Sequence, residues 1–122
     1  MRRLTSGVLF ALYSIALVWV SLAPVQAPEN APGYTDKAVH FILYAVLVFI
    51  GCLFFLSAHL NKKTAVFAAA VYSVVMGLAT ECLQKFTAYR TFDWLDWVAD
   101  CCGVLFAGLI LMSFPRSKNI SV

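Results

Sequence analysis

Four long apolar runs, at about 4–22, 37–60, 64–86 and 93–114, take up most of this chain of 122 residues. A helix needs about 20 mostly apolar residues to cross the hydrocarbon core of a bilayer, and each run supplies that length. The sequence is 62% hydrophobic and only 12% charged, against about 25% charged in soluble domains. These runs predict an all-α polytopic membrane protein. It is a single domain over 1–122, a bundle of about four transmembrane helices with short loops and no soluble domain.

The segments between the runs read as breaks. Pro24, Pro28, Pro32 and Gly33 punctuate the first connection, and Asn61-Lys62-Lys63 reads as a tight turn. A polar loop carries Tyr89, Arg90 and Thr91, and Pro115 closes the last run. The first run has a faint signal-peptide look, since Val25-Gln26-Ala27 resembles a cleavage site. Its apolar core exceeds the 7–15 residues of a signal sequence, and Pro28 would follow the cut, so a retained helix is expected.

The basic residues set an orientation. Arg2, Arg3, Lys62, Lys63, Arg116 and Lys118 fall on one side with no acid. The other side holds Lys37, Lys85 and Arg90 with Glu29, Asp36, Glu81, Asp93, Asp96 and Asp100. The excess of basic residues predicts cytoplasmic termini in a cell inner membrane, with the acidic side outward. Trp19, Tyr34, Tyr89, Trp94 and Trp97 fall near that outer side, as an interfacial aromatic belt would. No basic stripe suits a nucleic acid. Cys52, Cys82, Cys101 and Cys102 lack metal-binding spacing and read as buried small hydrophobes.

Within the runs, ionisable residues line up in stripes. Asp36, Lys37, His40 and Tyr44 share one helix face. Gly77, Glu81 and Gln84 form a second, extended by Ala70 and Ser73; Asp96, Asp100, Gly103 and Ala107 form a third. Small residues at this spacing let helices approach closely, so the stripes are expected to meet, with Arg90 reaching over them. A charge at the bilayer centre costs about 2.5–3.5 kcal/mol on insertion scales, so buried members such as Glu81 and Asp100 need partners. His40, Glu81 and Asp96 are the candidates for acid–base chemistry. Asp36, Lys37, Tyr44, Gln84, Arg90 and Asp100 are the candidates for binding. The carboxylates suit a divalent cation, and no other cofactor is evident. Blander roles compete: Asp93 and Asp96 suit a helix cap, and Asp100 suits helix–helix glue. Glu29 and Lys85 read as solvated, His59 as interfacial, Tyr13 and Tyr72 as bundle packing.

The ordered set Asp36-Lys37-x-x-His40-x-x-x-Tyr44, Gly77-x-x-x-Glu81-x-x-Gln84, Arg90 and Asp96-x-x-x-Asp100-x-x-Gly103 resembles the VanZ-like membrane family over about 36–108. Two positions depart from the family pattern, which usually has Asn at Asp100 and a small hydroxyl residue at Asp93. The resemblance implies a bacterial cell-envelope setting, a shared polar site and an association with glycopeptide (teicoplanin) resistance. Two functions stay open. One is an outer-leaflet site that binds or processes a lipid headgroup or lipid-linked envelope precursor, with catalysis undecided. The other is a non-enzymatic small transporter, ion or proton relay, or accessory subunit, working as a homo-oligomer or with a partner membrane protein.

Overall fold

The computed structural model describes residues 2–23, 34–87 and 93–114. They form four helices: α1 Arg2–Leu22, α2 Thr35–Ser57, α3 Lys62–Gln84 and α4 Trp94–Ser113. All four are long and apolar enough to cross a membrane, and there is no strand among the described residues. This is an all-α four-helix bundle and a multi-pass membrane protein.

The ends of the helices follow local chemistry. The Asn61 side chain accepts from the Thr64 amide at 2.8 Å, so α3 opens at Lys62 and takes up two residues expected in the turn. At the end of α2, His59 sits in the left-handed region at φ 69°. Its amide donates to the Leu56 carbonyl and that of Leu60 to the Phe55 carbonyl, at 3.0 and 3.2 Å. That pair of bonds is a Schellman closure, which ends α2 at Ser57 rather than near residue 60.

Hydrogen bonds at both ends give alternating helix directions. At one end, the hydroxyls of Ser6 and Ser57 lie 2.7 Å apart and the Lys62 ammonium donates to the Phe114 carbonyl. At the other, Gln84 reaches the Ser21 carbonyl and Lys37 reaches Asp93. So α2 and α4 run parallel, α1 and α3 against them. Helix α2 touches all three others, and α1 packs on α2 and α3.

The seam is lined with small residues where backbones come closest. A Cβ on Gly103 would stand 2.2 Å from the Phe41 carbonyl oxygen, so α4 lies directly on the α2 backbone there. A Cβ on Gly51 would meet side chains instead, Ala69 Cβ and Phe10 Cε2 at 3.2 Å each. Leu47, Val48, Ala65, Ala69 and Ala107 are wholly buried between the helices. The Tyr13 hydroxyl donates to the Leu43 carbonyl and that of Tyr72 to Ser14, which makes both tyrosines bundle residues as expected.

The outward faces are apolar. Leu12, Ile15, Phe67, Val75, Leu105 and Leu109 are all more than half exposed, the inverse of a soluble surface. This lipid-facing skin also corrects the cysteine expectation. Cys52 alone is buried; Cys101 is half-buried, and Cys82 and Cys102 are exposed. A thiol is a small apolar group, and a membrane protein can carry it on either side of the helix.

Candidate functional site

The parallel contact of α2 with α4 sets two i, i+4 rows side by side: Asp36 and His40 on one helix, Asp96 and Asp100 on the other. His40 Nδ1 lies 2.8 Å from Asp100 Oδ1, with both side chains buried, and Nε2 lies 3.8 Å from Asp96 Oδ2. With Nδ1 protonated and donating to Asp100, Nε2 is the available base and points toward Asp96. The Lys37 ammonium spans Asp93 Oδ2 and Asp96 Oδ1, at 3.3 Å each.

Asp93 has both of the roles weighed for such a residue. Its Oδ1 accepts from the Leu95 amide at 2.9 Å and caps α4, while Oδ2 faces Lys37. The Leu95 N–H first, and Lys37 after it, hold this carboxyl below the ordinary carboxylate range.

Helix α3 brings Glu81 into the same space. Its Oε2 accepts from the Asp93 amide at 3.4 Å, so Glu81 reaches the start of α4. Glu81 and Asp100 have no exposed surface, and Glu81 Oε1 and Asp100 Oδ2 make no hydrogen bond within the described protein. Gly77 makes room for this: a Cβ there would lie 3.0 Å from Asp100 Oδ2. Among the described residues two groups have the reach to hold a metal ion, Asp36–His40–Asp96 and His40–Glu81–Asp100, each with ligand atoms within 4.8 Å of one another.

Tyr44 forms the floor. Its hydroxyl lies 2.9 Å from Thr80 Oγ1, which spends its own proton on the Gly77 carbonyl, so Tyr44 donates. Below it the seam is apolar, and Ser73 turns its hydroxyl back onto the Ala69 carbonyl.

The structure therefore gathers Asp36, Lys37, His40, Tyr44, Glu81, Asp96 and Asp100 at one end of the bundle. Gln84 shares the buried side of α3 but belongs elsewhere: its amide donates to the Ser21 carbonyl at 2.8 Å and ties α3 to α1. Arg90 and Tyr89 lie outside the described residues. Trp19, Tyr34 and Trp94 are exposed near this end, as an aromatic belt requires. Trp97 is turned inward instead, half-buried, with its indole N–H 3.4 Å from the Val74 carbonyl. Thr80 was not among the expected site residues. The signal was its place three residues after Gly77, where a short hydroxyl side chain fits beside a glycine seam.

A lone ammonium and one imidazole face five carboxylates among the described residues, and four of the side chains (His40, Glu81, Asp96, Asp100) are buried. The arrangement defines a class of protein: a multi-pass helical bundle with a cluster of acids and a histidine between its helices at one end. Residues 10–115 match the VanZ/LLP1 family model, and the chain belongs to that family. An uncharacterized protein of Schizosaccharomyces pombe is 31% identical over 105 residues, covering 85% of this chain and 63% of that protein. The chain thus spans a little under two-thirds of that relative's length. No solved structure matches.

Proposed function

We propose that the polar cluster binds the polar head of a membrane amphiphile, a lipid headgroup or lipid-linked envelope precursor, from the outer leaflet with both termini cytoplasmic. The observation that carries this is the layering of the site. Asp36, Lys37 and Asp93 remain accessible at its outer edge, with His40, Glu81, Asp96 and Asp100 buried. Tyr34 and Trp94, at the starts of α2 and α4 beside the cluster, are exposed, and aromatic side chains favour the level where headgroups lie. Carboxylate oxygens suit the hydroxyl or ammonium donors of such a head, and Lys37 suits its phosphate. His40, oriented by Asp100, is placed to take a proton from a bound hydroxyl, which is the route from binding to processing.

The basic residues near the opposite end support the orientation. A path across the membrane has less support, because Tyr44, Thr80 and the apolar seam fill the bundle below the cluster. A contribution to glycopeptide resistance would follow from the envelope lipid handled.

Native mass spectrometry of the purified protein tests the reading. Wild type and Lys63→Ala should retain a discrete lipid species through delipidation, while Lys37→Ala and Asp96→Ala should lose it. Identical lipid profiles for all four proteins would sink the headgroup site.

A further inference from the structure

We propose that Glu81, Asp100 and His40 bind one divalent transition-metal ion, of the Zn²⁺ or Mn²⁺ kind, between α2, α3 and α4. The inference rests on the buried oxygens and not on the headgroup reading.

Two independent observations point to it. One carboxylate oxygen each from Glu81 and Asp100 and a ring nitrogen of His40 lie within 4.8 Å of one another. An ion at about 2.0–2.2 Å from each needs only a small closure of these side chains. Separately, Glu81 Oε1 and Asp100 Oδ2 are buried without a hydrogen-bond partner among the described residues, on side chains with 0% exposure. An unsatisfied buried acceptor costs about 1–3 kcal/mol, more when charged, and the Lys37 ammonium is engaged with Asp93 and Asp96 instead.

The donor set selects the metal. Calcium takes about 6–8 oxygens and magnesium keeps several waters, whereas an imidazole beside two carboxylates suits Zn²⁺ or Mn²⁺. Three protein ligands leave a coordination position open to water or to a headgroup oxygen. Asp96, 3.8 Å from Nε2, is placed to hold the imidazole proton there when Nδ1 turns to the ion. The alternative group, Asp36–His40–Asp96, is more exposed and shares Asp96 with the Lys37 ammonium, which repels a cation.

The test uses the full chain in detergent, stripped with chelator and dialysed against Zn²⁺ or Mn²⁺. Elemental analysis should give one ion per wild-type chain. Glu81→Gln and Asp100→Asn should each bind about tenfold or more weakly, while Lys63→Ala, at the other end of the bundle, should bind normally. The ion should raise the melting temperature of wild type saturably and leave the two site variants unmoved. X-ray absorption of the zinc-loaded wild type needs no variant to fold, and should give nitrogen and oxygen neighbours at about 2.0–2.2 Å. Sulfur at about 2.3 Å would assign the zinc to the free cysteines and overturn the site. So would substoichiometric uptake, or equal uptake by Glu81→Gln. Ion uptake without lipid retention would leave this site standing and remove the headgroup reading; lipid retention without ion uptake would do the reverse.

Discussion

Adding one methyl group to Gly103 should undo the contact on which the whole polar cluster is built. The new Cβ of Gly103→Ala would fall 2.2 Å from the Phe41 carbonyl oxygen, 3.0 Å from its carbon and 3.1 Å from its Cα. All three atoms are backbone, so no side chain can swing away. An ordinary carbon–oxygen contact is about 3.3 Å, so α2 and α4 must part by about 1 Å. A gap of that size forfeits a quarter to a half of each dispersion contact along the seam, where Leu47, Val48 and Ala107 are wholly buried. It also stretches the 2.8 Å His40–Asp100 bond. Overpacking of this kind costs about 1–3 kcal/mol, and a rigid obstacle puts Gly103 at the upper end. The matched control lies on the same helix: a Cβ on Gly108 would meet nothing nearer than Val66 Cγ1 at 3.9 Å. Thermal unfolding in detergent should show Gly103→Ala melting roughly 10 °C below wild type on soluble-domain scaling, with Gly108→Ala unchanged or higher. If the two variants melt together, the close backbone approach is wrong.

His59→Gly should stabilise the protein by about 1 kcal/mol, because glycine takes the left-handed φ of 69° without the strain of a side chain; unchanged melting would contradict the Schellman closure. Asp93 has its pKa lowered on folding, so its contribution is present above the unfolded carboxylate pKa and lost as pH falls through the folded one. Asp93→Asn keeps the helix cap while removing that titration, so its stability should fall less than that of wild type as pH drops below about 4. Gln84→Ala should cost about 1 kcal/mol through its bond to Ser21 yet leave lipid or ion retention intact; loss of retention would return Gln84 to the site. In a glycopeptide-susceptibility assay, His40→Ala with Glu81→Ala should be little worse than either single change, and additive losses would show that the residues do not act as a unit. In a cysteine-free background, Tyr34→Cys should react with an impermeant thiol reagent in intact cells and Leu60→Cys should not. The opposite pattern would invert the proposed orientation.

The number of helices, their approximate bounds and their lipid-facing character were legible in the sequence. Twenty-residue apolar runs have few ways to satisfy their backbone other than as membrane helices. The stripes were legible too, since helical periodicity places Asp36 with His40 and Asp96 with Asp100 on common faces, and Gly77 and Gly103 mark where those faces can meet. Periodicity says which side chains share a face but not which neighbour that face meets. Only the packing decided that Gln84, one turn from Glu81, turns to Ser21 on α1 while Glu81 reaches the start of α4. It also decided that Asp93 both caps α4 and holds Lys37, and that Trp97 leaves the aromatic belt for the Val74 carbonyl. In lipid, both faces of a helix are apolar, so hydrophobic pattern cannot tell bundle from bilayer; Cys52 and Cys102 look alike in sequence and lie on opposite sides. That choice falls to steric fit between backbones and to the partners available to each buried polar atom, and both are properties of the assembled bundle.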